Sequence, residues 1–224
     1  MKRHHTRQRH GYTLVELLVC VAVIITLASV AFAAAANMRG KAAALGELNR
    51  MRQLGAALLG WTSEHHGRPP RSSHSAIGHG ELGWQREILP WLGYPDTSRT
   101  SLALAKPREF GIDPTARPAR SPALNVYFEL NPDYDDYEGA PESWRNLGSL
   151  PNPSATILLI MAPGNADHVM AQYFAGKVAN HPFPAKGRQT GVVTWADGST
   201  TFELPDSAFD SSRGIDHFHP LKAR

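Results

Sequence analysis

The sequence predicts an α+β fold in which a long N-terminal helix, whose first half can span a membrane, packs on a small antiparallel β-sheet. Residues 14–36 form an apolar run, and no proline occurs between Tyr12 and Arg68, so one helix can continue from about residue 13 to about residue 63. Near the C-terminus, two β-rich segments flank Asp197-Gly198, a dipeptide that is typical of tight β-hairpins.

The apolar run is long enough to cross a bilayer. As a helix that rises about 1.5 Å per residue, it spans roughly 34 Å, against about 30 Å for the hydrocarbon core. Residues 1–11 contain basic side chains and no acid, so the positive-inside tendency holds the N-terminus in the cytoplasm and sends the rest outward. The basic residues are Lys2, Arg3, Arg7 and Arg9.

Glu16 is the one acid in this run. An acid costs roughly 2.5–3.5 kcal/mol at the centre of a membrane helix and less near its end. One interpretation is a boundary residue whose side chain reaches back to the lipid headgroups. The other is a functional charge that has a specific partner.

The residues around Glu16 favour a functional charge. Gly11-Tyr12-Thr13-Leu14-Val15-Glu16 resembles the processing site of type IV prepilins and type II secretion pseudopilins, in which a basic leader ends in Gly, the first mature residue is aromatic and the fifth is Glu. The resemblance implies that prepilin peptidase cuts after Gly11 and that the new amine of Tyr12 is N-methylated. It also implies a pilin-like division into a leader (1–11), a transmembrane half-helix (12–36), an amphipathic half-helix (37–63) and a periplasmic or extracellular α+β domain (64–224).

Cleavage after Gly11 would place a cation at Tyr12 close to the anion at Glu16. When helices stack with an axial offset, the Glu16 carboxylate of one subunit can pair with the Tyr12 ammonium of its neighbour, whereas a wrong register leaves a buried charge unpaired. We therefore predict that Glu16 sets the register of a fibre built with other pilin or pseudopilin subunits, identical or different.

A secretory signal peptide is the main alternative for the N-terminus. The basic leader, the apolar run and small residues such as Ala31-Phe32-Ala33 or Ala34-Ala35-Ala36 fit its general pattern. However, the run exceeds the usual length of about 7–15 residues, and Glu16 serves no purpose in a peptide that is discarded.

The charge balance argues against a nucleic-acid partner, and the cysteine count excludes an intramolecular disulfide. Four of the 23 Lys and Arg residues lie in the leader, so 19 remain against 20 Asp and Glu once it is removed. No basic excess is left to neutralise phosphates, and we expect no nucleic-acid partner. The single cysteine, Cys20, lies in the apolar run, so a periplasmic domain would fold without an intramolecular disulfide.

Downstream of the apolar run, the periodicity predicts an amphipathic helix and several short elements. The apolar stripe of the helix comprises Leu45, Leu48, Met51, Leu54, Gly55, Leu58, Trp61 and Thr62. We predict a loop at residues 71–83, one or two helical turns at 84–92 and an extended surface segment at 106–122, which contains four prolines. We predict strands at 125–130, 156–161, 191–195 and 199–204, followed by a loosely packed tail.

Several downstream segments resemble one large group of bacterial prepilin-like proteins, whose C-terminal hairpin carries a His, nine residues and then Asp-Gly. The matching segments are residues 48–58 (LNRMRQLGAAL), 66–70 (HGRPP), 84–92 (WQREILPWL), 153–159 (PSATILL) and 195–198 (WADG). Gly187 stands at the position of the His, and the nearest histidine, His181, is off register. The resemblance supports an architecture rather than an activity.

One acidic patch offers candidate metal ligands. Some pseudopilins bind Ca²⁺ in a loop near the C-terminal sheet, and clustered oxygen atoms suit that ion. Tyr137 breaks the ligand order of an EF-hand, so we expect a solvated loop and no resident cofactor, with calcium as the alternative. The patch consists of Asp133, Asp135, Asp136 and Glu138.

No motif in the sequence indicates catalysis. The pairs His65-His66 and His217-x-His219 lack HExxH spacing, and there is no nucleophile elbow or P-loop. We therefore predict a non-enzymatic structural subunit of a type II secretion pseudopilus or a type IV pilus-like fibre, held in the inner membrane by one span and extracellular after assembly. The alternative is a membrane-tethered periplasmic binding module that does not polymerise.

Overall fold

The computed structural model of the chain describes residues 13–112, 120–129, 146–164, 166–169, 191–220 and 222–224. It has two compact units, Met1–Ala43 and Ala44–Arg224. The predicted α+β class is confirmed, because a long N-terminal helix is followed by a mixed set of short helices and a largely antiparallel sheet.

Helix α1 (Leu14–Glu64) begins and ends within one residue of its predicted bounds. Within the first unit, residues 14–32 are predominantly apolar and all exposed, with Leu14 and Phe32 each 79% exposed. The segment Leu14–Phe32 is long and apolar enough to cross a membrane. In a water-soluble helix at least one face of such a segment would be covered, so this surface needs another environment.

In the second unit, α1 buries one face. Met51, Leu54 and Leu58 are fully buried, and Thr62 is buried at the same spacing. This confirms the predicted apolar stripe except at its N-terminal end, where Leu45 is 55% exposed. Within the described residues, four shorter α-helices follow, α2 (Ser73–His79), α3 (Trp84–Glu87), α4 (Arg99–Arg108) and α5 (Pro205–Ala208).

The strands in the described residues are β1 (Arg120–Asn125), β2 (Ile157–Pro163), β3 (His168–Val169), β4 (Gly191–Trp195), β5 (Thr200–Glu203), β6 (Phe209–Asp210) and β7 (Ile215–Asp216). The first five form one sheet in the order β3-β1-β2-β4-β5. The pairs β1–β2, β2–β4 and β4–β5 are antiparallel, whereas β3 joins β1 in parallel. A small second sheet pairs β6 with β7.

Two apolar cores cover the two faces of this sheet, because successive residues of a strand point to opposite sides. Val192 belongs to the core that includes Leu54 and Leu58 of α1, whereas its neighbour Val193 belongs to the other core. Fully buried Phe218, near the C-terminus, lies in that second core. The predicted Asp-Gly hairpin is present, since β4 and β5 pair from Gly191↔Glu203 to Thr194↔Thr200.

The predicted strand at 125–130 is wrong, because the strand lies earlier in the chain. β1 ends at Asn125, and Val126–Phe128 forms a 3-10 turn that the Asn125 side chain caps. β1 contains Pro122, which has no N–H to donate. The Leu124 N–H donates to Asp167 O on the β3 side of β1, so the nitrogen of Pro122, two residues earlier, points to that same side. Among the described residues β3 pairs only with Leu124 and Asn125, so the missing donor leaves the sheet intact.

Three further predictions of irregular structure are wrong, wholly or in part. The predicted loop at 71–83 contains α2, which the Ser72 hydroxyl caps at its start and Gly80 ends in the left-handed conformation. The predicted loose tail is packed, because Phe218, His219 and Ala223 are buried. The predicted extended segment at 106–122 includes the end of α4 and the start of β1.

Candidate functional site

The start of α1 is a reciprocal capping box. The Thr13 backbone N–H and hydroxyl donate to Glu16 Oε2, at 2.8 and 2.9 Å, and the Glu16 N–H donates to Thr13 Oγ1 at 3.2 Å. Thr13 is the N-cap residue and Glu16 lies in the first turn, where a negative charge also favours the helix dipole. The sequence Thr-x-x-Glu is the local signal for this arrangement, and our sequence analysis missed it.

The geometry leaves one oxygen of Glu16 for another partner. Among the described residues, all the hydrogen bonds of its side chain are made by Oε2, and the residue is exposed. A carboxylate oxygen can accept two hydrogen bonds, and Oε1 makes none with the described residues. The side chain can therefore cap its own helix and accept from a cationic group at the same time.

The other polar side chains in the described part of the apolar run are satisfied by their own helix. The Thr26 hydroxyl donates to the backbone oxygens of Ala22 and Val23, at 3.2 and 2.8 Å, and the Ser29 hydroxyl donates to Thr26 O at 2.7 Å. Such bonds to the preceding turn hide the hydroxyl from an apolar environment. Glu16 is therefore the residue of this run whose charge has no counter-ion within the described chain.

The remaining predicted site residues lie outside the described residues. This holds for the processing residues Gly11 and Tyr12 and for Gly187, at the position of the missing His. It holds also for the candidate calcium ligands Asp133, Asp135, Asp136 and Glu138.

A partly buried polar cluster lies in the described part of the second unit; we call it the Ser72 cluster and define it as Ser72, Ser73, Glu129, Asp167 and His168. The backbone N–H and the hydroxyl of Ser72 both donate to the Glu129 carboxylate. The Ser73 N–H donates to Asp167 Oδ2 at 2.6 Å, and His168 Nδ1 lies 3.0 Å from Asp167 Oδ1. Two carboxylates, far apart in sequence, thus hold the first residues of α2.

Burial and hydrogen bonds shift the acid–base equilibria of this cluster in opposite directions. Burial raises the pKa of Glu129, although the hydrogen bonds from Ser72 oppose it. Burial would also raise the pKa of Asp167, but hydrogen bonds from His168 and Ser73 outweigh it and lower the pKa. The hydrogen bond to Asp167 raises the pKa of His168.

The Ser72 cluster does not have the geometry of a metal site. Within the described part of the chain, no three His, Cys, Asp or Glu side chains lie close enough together to hold a metal ion. Its contacts join α2 to the segments that follow β1 and precede β3, so its role in this fold is to fasten α2.

Comparison with known families identifies the N-terminal segment. Residues 6–32 match the family model of the prokaryotic N-terminal methylation motif. Neither curated proteins nor solved structures gave a match to the chain. The matched range includes Gly11, Tyr12 and Glu16, as well as most of the exposed apolar part of α1.

This match characterises the N-terminal segment. Residues 6–32 are those of a type IV prepilin-like or pseudopilin-like protein, and the apolar helix that begins in this segment is suited to a single membrane span. The match ends at residue 32, so the likeness of the downstream segments to the His-nine-residue-Asp-Gly group stays a prediction.

Proposed function

We propose that this chain is a structural, non-enzymatic subunit of a pilus-like fibre, either a type II secretion pseudopilus or a type IV pilus. The observation that carries the proposal is the Thr13–Glu16 capping box at the start of an exposed apolar helix, inside the methylation motif. A fibre supplies what the described chain lacks, namely apolar neighbours for the helix and a cation for Glu16.

Processing would begin at the inner membrane. The basic leader favours a cytoplasmic N-terminus and a periplasmic second unit. Prepilin peptidase would cut after Gly11, and methylation would convert the new amine of Tyr12 into a secondary amine that still carries a positive charge. Cleavage also removes the basic residues of the leader, so the Tyr12 amine becomes the positive charge nearest to Glu16 in the sequence.

Glu16 would then couple helix geometry to assembly. Oε2 holds the first turn of α1, while Oε1 is directed to no described partner and can accept from the Tyr12 ammonium of a neighbouring subunit. Inside a fibre core of apolar helices, an ion pair is favourable only when both charges meet, because an unpaired charge keeps its full desolvation cost. The pairing would penalise every other axial offset between subunits.

Two substitutions at Glu16 and one at Thr13 separate the capping role from the charge. Glu16→Gln keeps an oxygen that can accept from Thr13 but removes the negative charge, and Glu16→Ala removes both. Thr13→Ala removes the hydroxyl and keeps the charge. The helix and membrane insertion should persist in all three, because a cap contributes only about 0.5–2 kcal/mol.

Incorporation into fibres, measured as subunit recovered in the sheared fibre fraction of the native host, should distinguish them. We expect Glu16→Gln and Glu16→Ala to abolish incorporation and Thr13→Ala to reduce it only slightly. Normal fibres from Glu16→Gln would contradict the register role. A wild-type chain that is processed but never enters fibres would favour the membrane-tethered binding module instead.

A further inference from the structure

Two basic residues stand out where the apolar part of α1 ends. Between Glu16 and Glu47 the sequence contains two charged residues, Arg39 and Lys41, and both are positive. They follow four consecutive alanines, Asn37 and Met38, and both belong to the first unit. The helix is unbroken through them.

Arg39 and Lys41 are not committed to the fold. Both side chains are exposed, as is Met38 at 70%, and within the described chain neither residue forms an ion pair or a hydrogen bond through its side chain. The basic residues further along α1 differ, because Arg50 donates to Arg108 O at 3.3 Å and Arg52 donates to Asn49 Oδ1 at 3.4 Å. The first two cations of the helix are therefore available to an external partner.

The spacing along the helix places these cations at the far side of a bilayer. From Glu16 to Arg39 the helix rises about 34 Å at 1.5 Å per residue, slightly more than the hydrocarbon core of about 30 Å. When Glu16 lies at one boundary of the hydrocarbon core, Arg39 and Lys41 therefore lie among the headgroups of the opposite leaflet.

The helix geometry lets both side chains reach lipid. Positions two apart on an α-helix point about 200° from each other, so Arg39 and Lys41 lie on opposite sides of α1 at nearly the same depth. Side chains on a helix lean towards its N-terminus, which here is the direction of the membrane span. Each of these two sides of the helix therefore presents one cation to the headgroups, whichever way the helix tilts.

We propose that Arg39 and Lys41 form a collar that binds the phosphate groups of anionic phospholipids in the leaflet opposite Glu16. The proposal rests on the membrane topology of the proposed function. The collar fixes the depth of the helix, because sliding towards the cytoplasm would draw two cations into hydrocarbon and sliding outward would draw Glu16 into it. Once the leader is removed, these are the first basic side chains of the mature chain.

Charge complementarity favours an anionic lipid over a neutral one. A basic residue near a membrane surface gains about fivefold in association with anionic lipid, and the effect decays within a Debye length of about 8 Å at physiological ionic strength. The two cations together should therefore give a large preference for anionic lipid that is sensitive to salt. Basic residues placed further along the chain should not contribute to it.

Lipid selectivity of the reconstituted full-length chain tests the proposal. Phosphatidylcholine vesicles would carry a trace of spin-labelled phosphatidylglycerol or spin-labelled phosphatidylcholine, and the motionally restricted fraction would give the relative association of each lipid. Arg39→Gln and Lys41→Gln should each lower the preference for phosphatidylglycerol by up to about fivefold, and the double variant should lower it further. Addition of 1 M salt should remove most of the wild-type preference.

Matched variants control for folding and general charge. Arg39→Lys combined with Lys41→Arg keeps both charges and should retain the wild-type preference. Arg52→Gln removes one charge thirteen positions after Arg39 and should leave it unchanged. All variants keep the same leader, so its contribution cancels and the result does not depend on processing after Gly11.

Each outcome decides the question. An unchanged preference for phosphatidylglycerol in the Arg39→Gln, Lys41→Gln double variant would overturn the collar. An equal loss of that preference in Arg52→Gln would also overturn it, because the charge would then matter but its position would not. A chain with an unprocessed N-terminus would contradict the proposed function and leave this lipid result intact. A wild-type chain that is correctly processed and methylated but shows no preference for phosphatidylglycerol would refute the collar alone.

Discussion

The two parts of helix α1 treat the same kind of side chain in opposite ways. In the first unit, Leu27 is 65% exposed and Phe32 79% exposed, whereas in the second unit Leu54 and Leu58 are fully buried. The second part has a sheet and short helices to cover one of its faces, and the first part has no cover within the described chain. One continuous helix therefore has two environments. Its second part packs on the core of a folded unit in water, and its exposed first part requires a bilayer or the apolar helices of a fibre.

Glu16 and Glu47 of α1 show the same contrast. Glu47 in the second unit is largely buried and accepts from Arg120 Nη1 at 2.7 Å, and burial raises its pKa despite that neighbouring cation. Glu16 in the first unit is exposed and bonds only to Thr13 among the described residues. The second unit thus completes its own charge pair, whereas the first unit leaves one for a partner.

The largest expected effect comes from matched leucines. Leu54→Ala should lower the free energy of unfolding of the second unit by about 2–5 kcal/mol, because it leaves a cavity in a fully buried site. Leu27→Ala should leave it unchanged. All five tryptophans follow residue 43, so tryptophan fluorescence of the full chain during denaturation in detergent reports the second unit. Equal losses in the two variants would contradict the division into two environments.

Two helical glycines give a smaller and oppositely signed pair of effects. A Cβ at Gly55 would lie 2.6 Å from Thr194 Cγ2, so Gly55→Ala should destabilise the second unit by about 1–3 kcal/mol. A Cβ at Gly46 meets nothing within 4 Å, so Gly46→Ala should stabilise it by up to about 1 kcal/mol through helix propensity. The same denaturation measurement checks both, and a stabilising Gly55→Ala would show that α1 does not pack on β4 this closely.

The smallest expected effect is a pH dependence from His168. Because its pKa is raised in the folded state, the charged imidazole stabilises the fold fully below about pH 6.5, and this stability is lost as the pH rises through the raised value. The lowered pKa of Asp167 affects stability in a different pH range, since its contribution to the unfolding free energy is lost only as the pH falls below about 4. His168→Gln should therefore reduce the decline in unfolding free energy between pH 6 and pH 9, by less than about 1 kcal/mol. A decline of the same size in the variant would exclude His168 as its source.

The sequence was most informative where the signal is local. Helix α1, the buried strand β2 and the β4–β5 hairpin follow from periodicity, composition and the Asp-Gly turn, which act within a few residues. The capping box is equally local, and Thr13-x-x-Glu16 could have been found from the sequence.

The missed elements depend on distant residues. Helix α2 begins at N–H groups that donate to the carboxylates of Glu129 and Asp167, which lie 57 and 94 positions away, so no short window around Ser72 contains these acceptors. Strand β1 tolerates Pro122 only because β3 is too short to need its N–H. The packed tail likewise depends on a second core, into which Phe218 is buried.

The mature N-terminus is the most direct test of the central idea, that Glu16 awaits an amine which processing creates. Mass spectrometry of the protein isolated from its native host should show a chain that begins at N-methylated Tyr12. A chain that begins between residues 34 and 37 would indicate a discarded signal peptide. A chain that keeps residues 1–11 in cells with an active prepilin peptidase would contradict the proposal outright.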